Sequence, residues 1–224
     1  MAKSRKKQQE EETLIDLVET KQSLQDFMEN NQLLIIGLVA AILLSIGGFI
    51  AYKMLYQAPR NKNAQEQIYQ AEIQFQRDSF TLALSNPGGG YEGLLDIIDN
   101  YSGTKTANLA KYYAGVSYLN LGSYKDAVKY LSQYKESGNI SPTMKYGTLG
   151  DAYAEIGDMD KALSNYKKAA YNGDNEILTP YYLKKLGMLY RKNGNVEKAN
   201  KVFQNILDKY GESIEATDIE KLIS

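Results

Sequence analysis

A skeleton of glycine, tyrosine and alanine returns three times in the second half of the chain. It reads GVSYLNLGSYKDAVKYLSQY from Gly115, GDAYAEIGDMDKALSNYKKA from Gly150 and GMLYRKNGNVEKANKVFQNI from Gly187. Aligned on Gly122, Gly157 and Gly194, the copies stand 35 and 37 residues apart. A fixed period of that size means stacked supersecondary units, each presenting the same packing surface to the next.

Each recurring position has a physical reason within a helix–turn–helix unit. Gly115, Gly150 and Gly187, seven residues before the anchor, and Ala127, Ala162 and Ala199, five after it, sit where the two helices of a unit cross. A larger side chain there would push the axes beyond the ~8–10 Å that helix packing requires. Tyr118, Tyr153 and Tyr190 fill the space between one pair and the next. The anchor glycine ends the first helix in a left-handed conformation. Ser123, Asp158 and Asn195 then stand where a side-chain cap would start the second helix, and Leu131, Tyr166 and Phe203 supply its bulk.

The pattern predicts units over 106–137, 142–172 and 179–210. A degenerate unit is expected upstream over 62–101. Its first helix would lie within Ala64 to Ala83, where Ile68, Tyr69, Ala71, Glu72 and Phe75 form a helical pattern, and its second helix from Tyr91 to Tyr101. Leu94, Ile98 and Tyr101 would take the Ala, bulky and small positions, with SNPGGG (Ser85 to Gly90) as a loop. Residues 213–224 read as a capping helix with Ile214, Ala216, Ile219 and Leu222 facing the last unit, since such arrays need an end that is polar outside. Nothing in 57–224 is left for a catalytic domain.

From Leu33 to Tyr52 the chain reads LLIIGLVAAILLSIGGFIAY, with no charge between Glu29 and Lys53. That is the length a helix needs to cross a ~30 Å hydrocarbon layer. Residues 32–56 are therefore expected to form an uncleaved signal anchor, in contact with the bilayer over 33–55. Tyr52 and Tyr56 would serve as interfacial anchors, and Ser45, Gly47, Gly48 and Ala51 form a small-residue patch that a second helix could approach. Within the tail 1–31, Leu14, Leu17, Val18, Leu24, Phe27 and Met28 recur at helical spacing, predicting a short amphipathic helix that docks on a partner or lies along headgroups. Local charge leaves the orientation nearly even, with Lys3, Arg5, Lys6 and Lys7 on one side against Lys53, Arg60 and Lys62 on the other.

Composition removes several function classes. The chain has no Cys and no His, so thiolate chemistry, the commonest general base and the usual metal ligands are missing. No constellation of carboxylate, Lys, Tyr or Ser suggests catalysis, and no catalytic residue, cofactor, metal or small-molecule substrate is expected. A net charge of −1 gives no basic field to attract nucleic acid. Tyr is enriched, at 19 copies with no Trp; such amphipathic rings pack while their hydroxyls reach water.

Over roughly 105–211 the skeleton resembles the tetratricopeptide repeat. The chain departs from it at Lys111, where an aromatic is expected, and in the terminal Pro, displaced to Pro142 and Pro180. The resemblance implies an all-α fold: one N-terminal transmembrane helix, then a tetratricopeptide-repeat α-solenoid with a C-terminal capping helix. It also implies a groove lined by first helices, carrying Leu109, Tyr112, Val116, Leu119 and Asn120, then Met144, Asp151 and Glu155, then Tyr181, Lys184, Met188, Arg191 and Lys192. Of the positions that clamp a terminal carboxylate in some relatives only Lys184 matches; Val116, Asp151 and Met188 stand where Asn is needed, so no such clamp is expected.

The order of tail, anchor and repeats, with GLLDIIDNYSGTKTANLAKYYAGVSYLNLGSYKDAV and the ending YGESIEATDIEKLI, resembles the YfgM-type membrane-anchored proteins, ancillary subunits of the bacterial Sec translocon. That resemblance implies a single-pass protein of the bacterial inner membrane, N-terminus cytoplasmic and C-terminal domain periplasmic. Its implied partners are the Sec translocon, a membrane-anchored periplasmic chaperone and emerging secretory polypeptides. The alternative is a scaffold subunit of another envelope assembly with one fixed protein partner.

Overall fold

The computed structural model describes residues 21, 27–138, 140–219 and 223. Most of the expected amphipathic segment, and Leu222 of the expected cap, lie outside them. The chain divides into two compact units, residues 1–56 and 57–224. In the first, α1 spans Gln32–Tyr52, 21 residues of which none is buried, and a π-helical turn follows over Lys53–Gln57. By length and composition α1 suits a bilayer crossing. Tyr52 and Tyr56 stack at its end with ring centroids 5.4 Å apart.

The second unit is helical, with no strand among its described residues. It comprises α2 (Ala58–Gln76), α3 (Phe80–Ser85), α4 (Leu94–Asn100), α5 (Lys105–Asn120), α6 (Tyr124–Gln133), α7 (Ser141–Ile156), α8 (Met159–Tyr171), α9 (Leu178–Lys192), α10 (Val196–Tyr210) and a 3-10 turn, Ile214–Asp218. Helices α5 and α6, α7 and α8, and α9 and α10 pair; α6 packs on α7 and α8 on α9, so the pairs stack in chain order.

The anchor glycines close each first helix identically. Gly122, Gly157 and Gly194 have φ of 76°, 89° and 76°. The next amide donates back to the tyrosine carbonyl: Ser123 N to Tyr118 O at 2.9 Å, Asp158 N to Tyr153 O at 2.9 Å, Asn195 N to Tyr190 O at 2.8 Å. These are Schellman closures, and they satisfy the carbonyls that a helix end leaves open. With the turn held by main chain, side-chain capping of the second helix is partial. Asp158 accepts from Lys161 N at 3.2 Å, whereas the Ser123 and Asn195 side chains, contrary to expectation, cap nothing.

The glycines seven residues earlier meet the bulky residue of their own second helix. A Cβ on Gly115 would lie 2.5 Å from Leu131 Cγ, on Gly150 2.5 Å from Tyr166 Cδ1 and on Gly187 2.3 Å from Phe203 Cε1. Ala127, Ala162 and Ala199 are fully buried beside these contacts. The tyrosines bridge units: Tyr118 touches the cores on both sides of its pair, as does Tyr153, and Tyr118 stacks on Tyr130 at 5.4 Å.

The degenerate unit takes a different phase from the one expected. Its first helix, expected within Ala64 to Ala83, starts earlier, at Ala58, and ends after Gln76, and Asp78 adopts φ 55°. Ser79 N donates to Gln74 O at 2.9 Å, the same closure with aspartate as anchor, a residue that tolerates the left-handed region. Seven residues before Asp78 stands Ala71 and five after it Ala83, both fully buried, so they, and not Leu94, occupy the small positions. The second helix is split into α3 and α4 by the Pro87–Gly90 loop. Gly93 lets the chain return, since a Cβ there would lie 2.5 Å from Leu84 O.

The C-terminal cap is a 3-10 turn where a helix was expected. Ala216 and Ile219 are buried against the last pair, but Ile214 points into solvent, because Ser213 Oγ accepts from Ala216 N at 3.3 Å and turns the chain one residue later.

The displaced prolines fit: Pro142 sits in the first turn of α7, where no helical amide is needed. The turn before it is held by Lys145, whose nearly buried ammonium donates to Tyr134 O at 2.6 Å and to Glu136 Oε2 at 2.7 Å. Tyr146 OH donates to Glu136 Oε1 at 2.9 Å. Chiefly the Lys145 hydrogen bond, with a backbone amide and Tyr146, lowers the Glu136 pKa to about 2, from an ordinary 4.5. A depressed carboxyl stabilises the fold above its unfolded value and loses that contribution as pH falls. The stability advantage of the parent over Glu136→Gln, measured by urea midpoints, should therefore be full above pH 4.5 and shrink between 4.5 and about 2.

Candidate partner-binding groove

First helices α5, α7 and α9 present one face away from the second helices, and stacks of this kind curve with such a face inward. At its centre Asp151 of α7 ties three helices together. Tyr166 OH of α8 donates to Asp151 Oδ1 at 2.7 Å, and Lys185 Nζ of α9 donates to the same oxygen at 2.6 Å. Lys185 also lies 4.8 Å from the centre of the Tyr181 ring. Burial works against the Lys185 ammonium, yet hydrogen bonds to Asp151 and Tyr181 outweigh it and hold its pKa above the ordinary lysine value. Burial, then the Asp151 charge, pushes the Tyr166 and Tyr182 hydroxyls up, so both stay protonated and Tyr166 remains the donor to Asp151.

Around this bridge opens a cleft of about 470 Å³ lined by Leu119, Asn120, Tyr124, Asp151, Ala154, Glu155, Tyr166 and Lys185. Rings also meet where helices pack elsewhere in the array: Phe80 meets Phe75 at 5.7 Å, Phe75 meets Tyr113 at 4.8 Å, and Tyr112 meets Tyr134 at 5.4 Å. On α9, Tyr181 and Tyr182 meet edge to face at 4.9 Å. Tyr182 lies over Gly147, where a Cβ would fall 2.0 Å from its Cζ.

Of the residues expected in the groove, Leu119, Asn120, Asp151 and Glu155 come together in the cleft, and Tyr181 joins them through Lys185. Tyr112 is half-buried beside Thr148. Val116 and Met144 are half-buried, their carbonyls accepting from Asn120 Nδ2 and Thr148 Oγ1. Leu109, Met188 and Lys192 are exposed, Lys184 and Arg191 half-buried, and none of these lines the cleft. Lys185, Tyr166 and Gly147 were not legible as site residues. Asp151 and Lys185 stand 34 residues apart, one repeat, and opposite charges at that separation were the available signal. Among the described residues no group of carboxylates is arranged to hold a metal.

Two comparisons bear on this architecture. Residues 142–210 match the model described as YpiA-like, C-terminal tetratricopeptide repeats, and residues 109–137 match the tetratricopeptide repeat itself. Residues 109–137 and 142–210 of the all-helical second unit are thus tetratricopeptide repeats, a module for protein–protein interaction. The chain is also similar to a protein of Guillardia theta called uncharacterized protein ycf37, with 34% identity over 79 residues. That stretch is 35% of this chain and spans 43% of the relative's length.

Proposed function

We propose that the chain is a membrane-anchored, non-enzymatic adaptor whose first-helix groove holds segments of other proteins. The carrying observation is the Asp151–Tyr166–Lys185 bridge set among tyrosines: it fixes the floor of the groove before any ligand arrives, which lowers the ordering cost of binding. Tyrosines offer large contact area with few rotatable bonds and a hydroxyl that accepts varied partners. Helix α1 suits the anchor, and anchoring would raise the effective concentration of the groove at one surface.

The resemblance to YfgM-type proteins supports a finer reading. In it the solenoid is periplasmic, associates with the Sec translocon and meets emerging secretory chains or a membrane-anchored chaperone. A photocrosslinking residue at Asn120 or Tyr181 of the full chain, in its own membrane, tests this. Adducts with many secreted chains are expected. One constant adduct would instead favour a scaffold with a fixed partner, and adducts with no polypeptide would overturn the groove reading.

A further inference from the structure

The segments that follow the three clear units each carry an isoleucine: Ile140, Ile177 and Ile214, spaced by 37 residues. They are 51%, 76% and 86% exposed. A single exposed aliphatic residue is ordinary; three at one repeat position form an edge.

Depressions run along that edge. One of about 370 Å³ lies between Ile140, Pro142 and Leu178, with Asp174 on its wall. The next, about 630 Å³, is lined by Ile177, Tyr210 and Ile214 with Glu176, Glu212, Glu215 and Lys209. Its rim thus sets three carboxylates against one ammonium. The walls are fixed by local bonds: Asn175 Oδ1 accepts from Ile177 N at 3.0 Å and Leu178 N at 2.8 Å, and Tyr210 OH donates to Asp174 Oδ1 at 2.6 Å. None of the groove residues lines either depression.

We propose that this edge is a second docking surface, taken by a cationic aliphatic segment of another protein whose apolar side chains enter beside Ile177 and Ile214 while its Lys or Arg residues meet Glu176, Glu212 and Glu215. Complementary charge selects that occupant. A second copy would bring acid against acid, and an anionic lipid surface would be repelled.

The test uses the full chain in phosphatidylcholine nanodiscs and a fluorescent amphipathic Leu/Lys peptide, with a Leu/Glu counterpart and protein-free nanodiscs as controls. The Leu/Lys peptide is expected to bind, more weakly as salt rises. Ile177→Ala with Ile214→Ala should weaken it about tenfold, and Glu176→Gln, Glu212→Gln and Glu215→Gln together should flatten its salt dependence. Ile177, Ile214, Glu176 and Glu212 are exposed and Glu215 is half-buried, so helicity should be unchanged. Tyr181→Ala, in the groove, should leave binding intact, which separates this edge from the proposed groove. Equal binding of the Leu/Glu peptide, full binding by the double alanine variant, or loss through Tyr181→Ala would overturn the proposal. So would self-association, or capture by anionic vesicles, that depends on the isoleucines.

Discussion

Replacing Gly150 with leucine is expected to lower the unfolding midpoint of the solenoid by about 6–12 °C, the consequence of roughly 3 kcal/mol of overpacking in a domain of this size. The Cβ alone would stand 2.5 Å from Tyr166 Cδ1 and 2.6 Å from Cε1, closer than carbon atoms approach. Tyr166 cannot swing aside, because its ring is buried and its hydroxyl donates to Asp151 at 2.7 Å. Either the α7–α8 crossing opens or the Asp151 bridge breaks, and in a repeat array the loss passes to the neighbouring interfaces. Thermal unfolding followed by circular dichroism measures it. A midpoint within about a degree of the parent, on the same size scaling, would mean that Gly150 does not sit at the crossing.

Phe203→Ala should cost more, about 3–5 kcal/mol, the range for emptying a fully buried aromatic site. Phe203 is 0% exposed, and its ring lies against Gly187, which has no side chain to move into the space. Among the described residues the outer side of the pair α9–α10 is covered by the short turn at Ala216 and Ile219 and by Ile223, so little can collapse inward. Hydrogen exchange should show α9 and α10 losing protection before α5 and α6. Leu109→Ala, at an exposed position, is the matched control and should stay within about 0.5 kcal/mol of the parent. Similar losses for the two variants would contradict the packing described here.

Much of the α5–α10 array was legible because each of its constraints is local. A left-handed anchor at Gly122, Gly157 or Gly194 depends on the missing Cβ at that residue alone. The absence of side chains at Gly115, Gly150 and Gly187 implies that something large lies opposite. The first unit hid its phase for the complementary reason: Asp78 takes the anchor's conformation without being glycine, and Ala71 stands where the later units have Gly. The insertion from Pro87 to Gly90 then split the second helix, so that Tyr91 to Tyr101 holds only its later part, α4, while the small position Ala83 lies before the loop on α3.

The groove divides the same way. Leu119, Asn120, Asp151 and Glu155 were placed by repeat position, because helical periodicity determines which side of α5 or α7 a residue occupies. That Lys185, and not Lys184, reaches Asp151 depends on how α9 is set against α7, and so on the Tyr182 ring lying over Gly147. By itself the sequence determined the helix pairs, their turns and their stacking order, since those follow from conformational limits and a short-range period. Only the tertiary structure decided which charges meet and which isoleucines stay in water, because a contact between residues one repeat apart depends on the relative placement of whole helices.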